Sequence, residues 1–364
     1  MRTIGTQGTS KTLKELSKDG IVMNQSEYDS LSSMLEAFYN GEVDSIIINE
    51  SSRSQILDME SYAAFDNNTR VVYQTSYKVE NTDKANAVTD ITSKPFNVLI
   101  SGSDTRGGFD ENGRSDVIMV ATINPKTSTI LLTSVPRDFY VTTACDAADG
   151  CMQGALDKIT HTGIHGTNTT KRTVEQLLGV EINYTFKVGF DAVTELVDAV
   201  GGVDVTVAPG YAVNNFNALS GFSVHEGVNH LNGEQALAFA RERYAYTEGD
   251  HQRTKNQQQV LMGIVNEATK PSVITKYASI MDAMANTFST TMSNEEISDL
   301  IKYQINNNPK WKMEQYMVDG TGDTLMCAEL GDAASVLVPD QSTVKMAKDK
   351  INAVLAGKSA DDVK

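Results

Sequence analysis

The sequence predicts an α/β protein, because apolar runs of strand length alternate with longer segments whose apolar residues recur at helical spacing. The clearest strand begins at Phe96, and two further apolar runs follow at 117–123 and 129–135. Helices with a one-sided apolar face are equally clear at 191–200 and 341–355. A chain of 364 residues leaves room for about two domains of ordinary size.

The first part of the chain is predicted to form a separate small α/β unit, residues 1–94. Its expected elements are strands at 3–5, 45–49 and 70–74 and helices at 11–17, 25–40 and 54–64. The segment 90–95 contains polar residues and a proline, which favours a linker. The main domain is expected at 95–310, and a strand and a helix within 311–364 are expected to complete it.

The main domain continues after 129–135 with a polar stretch of about 30 residues, which is long for a loop. The elements predicted beyond it are strands at 184–188, 203–207 and 311–318 and helices at 169–178, 191–200, 234–243, 250–269, 272–288 and 294–304. Ser293 and Glu296 have the spacing of a capping box for the last of these helices. The order of strand, helix and strand over 184–207 predicts a βαβ unit.

Charged residues stand where the first three apolar runs of the main domain begin or end. Asp104 follows the first run. Arg114 and Asp116 open the second, and Arg137 follows the third. Ligands of open sheets with parallel strands lie at the carboxyl edge of those strands, so we expect these side chains to lie together. Carboxylates hold divalent metals and arginines bind phosphate bidentately, which predicts a metal-assisted phosphate site. The alternative for each residue is a turn position or a surface ion pair.

Further candidates for phosphate contact lie later in the chain. Arg241 and Arg243 flank one residue, so on a regular helix they diverge by about 200° and share a ligand only if the helix ends there. Arg253 and Gln257 are four residues apart and share a helix face. Lys158 lies in the polar stretch. For Lys158 and Gln257 the alternative is a solvated surface position.

Two histidines and three cysteines carry weaker signals. His161 and His165 would form a metal pair only on a helix, which two nearby glycines disfavour. Cys145 and Cys151 are close enough for a small disulfide loop, which would indicate an oxidising compartment, and two reduced thiols fit the spacing equally well. Cys327 is left over.

The composition excludes some partners. A formal net charge of −16 argues against nucleic acid, which requires a basic surface. Seven of the ten arginines nevertheless lie between Arg106 and Arg253, which favours one local anion site. No apolar run approaches the roughly 18 residues of a membrane helix.

Seven blocks of the sequence, in order, resemble the signature blocks of the LytR-CpsA-Psr family. They are GSDTR (102–106), RSDVIMVATINPKT (114–127), SVPRD (134–138), DKITH (157–161), VDAVGGVDV (197–205), LNGEQALAFARERY (231–244) and GDHQRTKNQQQV (249–260). The resemblance implies a three-layer α/β/α sandwich with a central mixed sheet. It also likens the N-terminal unit to the accessory domain of the family's streptococcal capsule branch.

Members of that family are membrane-anchored and face outward in Gram-positive bacteria. They transfer glycopolymers, such as capsule or teichoic acid, from polyprenyl (pyro)phosphate to peptidoglycan. The resemblance therefore implies that this chain is an ectodomain at the outer face of the cell membrane, without the N-terminal membrane helix of its relatives.

The resemblance also implies roles for the candidate residues. Asp104 and Asp116 would hold Mg²⁺ or Mn²⁺ at the pyrophosphate. The residues that would clamp the phosphates are Arg114, Arg137, Arg241 and Arg243, completed by Lys158, Arg253 and Gln257. Many relatives have an arginine where this chain has Asn256, so one usual phosphate contact is missing here. A metal-bound carboxylate is a poor base, so the general base stays unassigned.

Two other functions would use the same pocket. One is a regulatory module that holds polyprenyl phosphate without turnover. The other is a Mg²⁺-dependent lipid pyrophosphatase, in which water replaces the peptidoglycan hydroxyl as the acceptor.

Overall fold

The computed structural model describes residues 3–6, 16–21, 23–28, 31–48, 53, 56–57, 59–74, 86–103, 112–146, 149–271 and 288–364. Its strands are β1 (Thr3–Thr6), β2 (Asn24–Glu27), β3 (Ser45–Ile47), β4 (Phe96–Ser103), β5 (Ser115–Asn124), β6 (Thr129–Ser134), β7 (Tyr140–Thr142), β8 (Leu156–Lys158), β9 (Tyr184–Gly189), β10 (Val203–Val207), β11 (Gly227–Leu231), β12 (Phe288–Thr290), β13 (Lys312–Met317), β14 (Gly320–Cys327) and β15 (Asp332–Pro339). Its α-helices are α1 (Leu31–Tyr39), α2 (Phe65–Asn68), α3 (Thr167–Leu178), α4 (Phe190–Val200), α5 (Gly233–Arg241), α6 (Asp250–Ala268), α7 (Asn294–Asn307) and α8 (Gln341–Leu355). Short 3-10 helices lie at Glu60–Tyr62, Ile159–His165 and Ala360–Asp362.

The centre of the molecule is a six-stranded mixed sheet in the order β12-β9-β4-β5-β6-β13. The pairs β4–β9 and β6–β13 are parallel, whereas β5 runs antiparallel to both β4 and β6. The three strands predicted most clearly from the sequence are therefore the middle of the sheet. The mixed sheet that the resemblance implied is confirmed.

Helices cover both faces of this sheet, because alternate residues of its strands point to opposite sides. On β5, Ile118 and Val120 pack in one apolar cluster with residues of α3 and α8. Met119 and Ala121, in between, pack in a second cluster with residues of α6. Burial on both faces explains why these strands read as continuous apolar runs. It also confirms the three-layer arrangement.

The direction of the strands gathers several of their ends at one edge of the sheet. From the pairings, β4, β6, β9 and β13 all run the same way, so their carboxyl ends lie together, and β5 begins at that edge. The chain re-enters the sheet close to where it left, since Ser103 at the end of β4 is opposite Ser115 at the start of β5.

A third apolar cluster supports the helices next to this edge. It joins Val197 of α4, Phe239 of α5 and Val260 of α6 with the hairpin of β10 and β11. The cluster packs the end of α5 against the middle of α6, and several of the predicted phosphate contacts lie on the chain between these two points.

The predicted βαβ unit is wrong. Strand β10 pairs antiparallel with β11 in a separate two-stranded sheet and does not join β9. Its residues alternate between buried and exposed, the pattern of a strand with one face in solvent. A parallel strand inside the central sheet would be buried on both faces.

Other predictions fail in the N-terminal unit and after β13. The predicted helix 25–40 starts only at Leu31, because Asn24–Glu27 pairs with β1 as a strand. Residues 70–74 form no strand, and the hairpin of β14 and β15 was not predicted. Most of the predicted helices 11–17 and 272–288 lies outside the described residues. The described part of the predicted helix 54–64 is helical only at 56–57 and in the 3-10 helix Glu60–Tyr62.

The long polar stretch after β6 has structure of its own. It forms the pair β7–β8 and the 3-10 helix Ile159–His165, and a disulfide joins Cys145 to Cys151. Of the two alternatives for these cysteines, the structure has the disulfide loop and not the two reduced thiols. No helix in the described part of the chain combines the length and apolar character that a bilayer crossing requires.

Candidate active site

A group of charged side chains lies at the carboxyl edge of the central sheet. We call it the arginine cluster and define it as Asp116, Arg137, Arg243, Asp250 and Arg253. Asp116 comes from the start of β5 and Arg137 from the turn after β6. Arg243 follows α5, and Asp250 and Arg253 belong to the first turn of α6. Four separate segments therefore supply the cluster.

Asp116 is the most deeply buried acid of the cluster. Its Oδ1 accepts hydrogen bonds from Arg137 Nη1 at 2.9 Å and from Thr160 Oγ1 at 3.2 Å. Burial raises the pKa of Asp116, but the neighbouring guanidinium groups of Arg137 and Arg114 lower it, and the net pKa is below the ordinary value. Asp116 is therefore an ionised carboxylate at neutral pH.

Arg137 lies between acids from three segments. Besides its bond to Asp116, its Nε is 3.6 Å from Asp138 Oδ2 and 3.9 Å from Asp250 Oδ1. Burial lowers the pKa of Arg137, but Asp116 and Asp138 raise it by more than burial lowers it. The net pKa is therefore above the ordinary value. The same Asp138 holds Lys158, whose Nζ is 3.1 Å from Asp138 Oδ1.

Asp250 is the common counter-ion of the arginines. Its Oδ1 is 2.6 Å from Arg253 Nη2 and 4.0 Å from Arg243 Nη1, in addition to its approach to Arg137. Burial lowers the pKa of Arg253; Asp250 opposes that shift and Arg137 adds to it. Three guanidinium groups are thus crowded around one carboxylate, which favours the binding of further negative charge.

Two buried donors of the cluster indicate the kind of ligand it takes. The Nε atoms of Arg137 and Arg253 are inaccessible to solvent and have no hydrogen-bond partner among the described residues. A buried donor without a partner costs about 1–3 kcal/mol. Phosphate oxygens are the acceptors that arginine binds best, so a shift of these two side chains onto an anionic ligand would give both donors a partner.

Arg241 and Arg243 can share a ligand only if the helix ends between them, and the helix does end there. Helix α5 ends at Arg241, and Glu242 has extended backbone angles. Arg243 is therefore off the helix that carries Arg241. Arg243 joins the cluster through Asp250, and Arg241 lies exposed at the last residue of α5.

The remaining predicted residues fall into different places. Arg114 is half-buried and close enough to influence Asp116, and Lys158 reaches the cluster through Asp138. Gln257 is half-buried on α6. Asp104 lies outside the described residues.

Asn256, which stands where many relatives have arginine, has a structural role. It is buried, and its Nδ2 donates to the Phe239 carbonyl at 3.0 Å. Its Oδ1 accepts from Gln252 at 2.9 Å. The side chain thus fastens α6 to α5 and does not reach towards the cluster's charges.

The donor set is compatible with a hard divalent metal. Mg²⁺ is commonly bound by one or two carboxylates together with substrate phosphates. Asp116 is ionised and would supply one such carboxylate, with Asp104 as the second predicted ligand. The described residues contain no group of three or more side chains of the metal-ligating types. His161 and His165 each pair with a different carboxylate, Asp157 and Glu329.

The comparison with family models gives the identity of the domain. The model described as the LytR_cpsA_psr family matches residues 62–353, well over half of the chain. The chain belongs to this family. The match extends beyond the region of the seven blocks on both sides.

Individual members of the family are similar over most of the chain. A Bacillus cereus protein named polyisoprenyl-teichoic acid–peptidoglycan teichoic acid transferase TagU is 33% identical over 243 residues, which cover 66% of this chain and 75% of the relative. The crystal structure of Bacillus subtilis TagU is 29% identical with a TM-score of 0.54, covering 72% of this chain and 97% of that one. Protein gbs0355 of Streptococcus agalactiae is 26% identical with a TM-score of 0.61, covering 74% and 91%.

Sequence reasoning missed three acids that organise the site. Asp250 and Asp138 pair with the predicted cations, and Glu242 holds the backbone after α5. Asp138 and Glu242 are adjacent to predicted arginines, and Asp250 is the first residue of a predicted helix. Buried cations need counter-charges. The predicted gathering of arginines was therefore a signal that acids next to them in the sequence belong to the site.

Proposed function

We propose that this chain is a phosphotransferase that moves a glycopolymer from polyprenyl pyrophosphate to peptidoglycan. Membership of the family and the names of its TagU relatives support the donor and the acceptor. The observation at the site that carries the proposal is the pair of buried Nε donors of Arg137 and Arg253 beside the ionised Asp116. A pyrophosphate group is an anion of the right chemistry to bridge them.

The proposed reaction replaces the phosphoanhydride link between polymer and lipid by a phosphodiester link between polymer and peptidoglycan. A sugar hydroxyl of peptidoglycan attacks the phosphorus that carries the polymer's first sugar. A new P–O bond forms to peptidoglycan, the bridging P–O–P bond breaks, and polyprenyl monophosphate leaves with the bonding electrons. The hydroxyl proton goes to a base that stays unassigned. Arg137, Arg243 and Arg253 would neutralise the charge that develops on the leaving phosphate.

Magnesium is part of this proposal. Asp116 and Asp104 would hold Mg²⁺, which when bound supplies Lewis-acid stabilisation of phosphate oxygens. In the resting protein Arg137 and Thr160 orient Asp116, which keeps its carboxylate at the edge of the sheet.

We also propose that the protein works at the outer face of the cell membrane of a Gram-positive bacterium, held there by a membrane anchor. The disulfide between Cys145 and Cys151 supports an oxidising compartment outside the cytosol. Teichoic acid is the polymer in the names of the TagU relatives, and capsule is the alternative polymer.

The products of the wild-type protein distinguish the candidate functions. The purified chain would be given Mg²⁺, peptidoglycan fragments and a polyprenyl pyrophosphate that carries a short saccharide. The proposal expects saccharide linked to peptidoglycan through phosphate, together with polyprenyl monophosphate. Lipid monophosphate formed without any need for peptidoglycan would instead identify a pyrophosphatase. Tight lipid binding without turnover would identify a regulatory module.

A further inference from the structure

The arginine cluster leads from the buried edge of the sheet to the surface. The exposed fraction of the side chain rises from 8% at Asp116 to 17% at Arg137 and 35% at Arg243. The next residue, Tyr244, is 74% exposed. A polar chain attached to phosphates in this cluster has to leave towards solvent, and Arg243 and Tyr244 lie at that end.

Tyr244 is joined to the cluster through Arg243. Arg243 Nη2 donates to the Tyr244 hydroxyl at 3.0 Å, and the guanidinium carbon lies 5.0 Å from the centre of the ring. Large aromatic side chains are usually buried to a greater extent than this. The Arg243 guanidinium thus lies on one side of the Tyr244 ring, and most of the remaining ring surface faces solvent.

The backbone beneath Tyr244 is held by a buried acid. Glu242 is only 2% exposed. Its Oε1 accepts from the backbone N–H groups of Tyr244 and Ala245 at 2.8 and 3.1 Å, and its Oε2 accepts from that of Asn217 at 2.9 Å. Charge-assisted bonds of this kind are the strong ones. The tyrosine is therefore presented to solvent by a fixed turn.

We propose that Tyr244 is a sugar-binding platform, on which the first saccharide of the lipid-linked polymer stacks while its phosphates occupy the arginine cluster. This inference rests on the proposed function. The C–H face of a sugar ring carries partial positive charge and complements the negative face of an aromatic ring. The adjacent Arg243 would hold the phosphate that joins the sugar to the lipid, which places the saccharide next to Tyr244. Tyr244 would thus select donors by their saccharide.

The test compares two lipids that differ only in the sugar. The probes are a short-chain polyprenyl pyrophosphate and the same lipid carrying an N-acetylated disaccharide. We expect Tyr244→Ala to weaken binding of the disaccharide lipid about tenfold, which corresponds to about 1.4 kcal/mol, and to change binding of the bare lipid less than about twofold. Tyr244→Trp should keep the preference, since it keeps an aromatic face. Tyr39→Ala, at an exposed tyrosine of α1, is the matched control.

The result that overturns the inference is an equal effect of Tyr244→Ala on both lipids, or no effect on either. An equal loss would mean that the ring only supports Arg243. Arg253→Ala tests the proposed function separately, because it should weaken both lipids alike. If Arg253→Ala leaves the affinities for both lipids unchanged, the arginine cluster is not the pyrophosphate site. The proposed function then fails, and the sugar platform fails with it.

Discussion

At the scale of single residues, Asp250 is the residue on which the geometry of the arginine cluster depends. It pairs with Arg253 and approaches Arg243 and Arg137 as well. Without it the three cations would repel one another more strongly at short range. Asp250 is thus a positioning residue for the phosphate contacts.

We expect Asp250→Asn to lower kcat/KM for polymer transfer about tenfold or more, mainly through KM, because the neutral amide no longer holds the guanidinium groups together. Asp250→Glu should recover part of the loss, which a general destabilisation would not explain. Asp66→Asn, in a surface ion pair with Arg53, is the control. Unchanged lipid affinity in Asp250→Asn would show that the arginines keep their places without it.

Two neighbouring glutamines of α6 give a second test at this scale. Gln258 is buried, and its Nε2 donates to Ser134 Oγ at 2.8 Å and to the Tyr316 carbonyl at 2.9 Å, so it ties β6 to β13. Gln257 is half-buried and is the predicted phosphate contact. We expect Gln258→Ala to cost about 1–3 kcal/mol of unfolding free energy in urea titrations.

Gln257→Ala should change the unfolding free energy by less than about 0.5 kcal/mol and should weaken binding of the pyrophosphate lipid. The reverse pattern, with Gln257→Ala destabilising and Gln258→Ala silent, would contradict the side-chain placements on this helix.

At the scale of elements, the sequence reveals strands best where they are buried on both faces. The runs that became β4, β5 and β6 were predicted because continuous apolar residues are bounded by turns and charges. Strand β10 has the same apolar content but alternates, and its partner β11 contains His230 and Asn229, so pairing could not be deduced from periodicity alone. The hairpin of β14 and β15 is mostly exposed, and its polar residues conceal it.

That hairpin is attached to the site's flank by a titratable contact. His165 Nε2 is 2.8 Å from Glu329 in the turn of the hairpin, and Nδ1 is 3.3 Å from the Asp149 carbonyl in the disulfide loop. Both neighbours are acceptors, so the ring makes both bonds only when doubly protonated. Burial lowers the pKa of His165, but Glu329 and the Asp149 carbonyl raise it, with Asp157 adding to them, and the net pKa is above the ordinary value.

The pKa of His165 is raised in the folded state. The contact therefore stabilises the hairpin fully below the ordinary histidine pKa of about 6.5. This stabilisation is lost as the pH rises through the raised pKa of His165. We expect amide hydrogen exchange in residues 320–339, corrected for the intrinsic effect of pH, to increase across that range. In Glu329→Gln the increase should be absent. An exchange rate that does not respond to pH in the wild-type protein would refute the contact.

At the scale of the whole molecule, the family blocks predicted the three layers and the location of the site, because these depend on the direction of the central strands. The sequence predicted the arginines of the cluster and Asp116, since arginine is rare in this acidic chain. It did not reveal which acids balance them, because Asp250 and Asp138 are two among 47 acidic residues, nor that Glu242 holds the backbone after α5. Only their contacts distinguish them.

The disulfide between Cys145 and Cys151 should contribute to the stability of the molecule. It closes a short loop, for which chain entropy predicts about 2 kcal/mol. We expect dithiothreitol to lower the midpoint of thermal unfolding of the wild-type protein. The Cys145→Ser, Cys151→Ser double variant should start from the lower midpoint and show no response to the reductant. A wild-type midpoint that is indifferent to reductant would mean that the bridge adds no stability.

The most direct test is the rate of polymer transfer to peptidoglycan by wild type, Asp116→Asn and Arg253→Ala. Arg53→Ala, at a surface ion pair with Asp66, is the control, and circular dichroism confirms folding. We expect product with wild type and with Arg53→Ala, and a loss of at least about a hundredfold in each of the other two. Asp116→Asn removes a ligand of the proposed Mg²⁺, and Arg253→Ala removes a cation beside the transferred phosphate. Transfer at the wild-type rate by folded Asp116→Asn and Arg253→Ala would place the chemistry elsewhere and contradict the account.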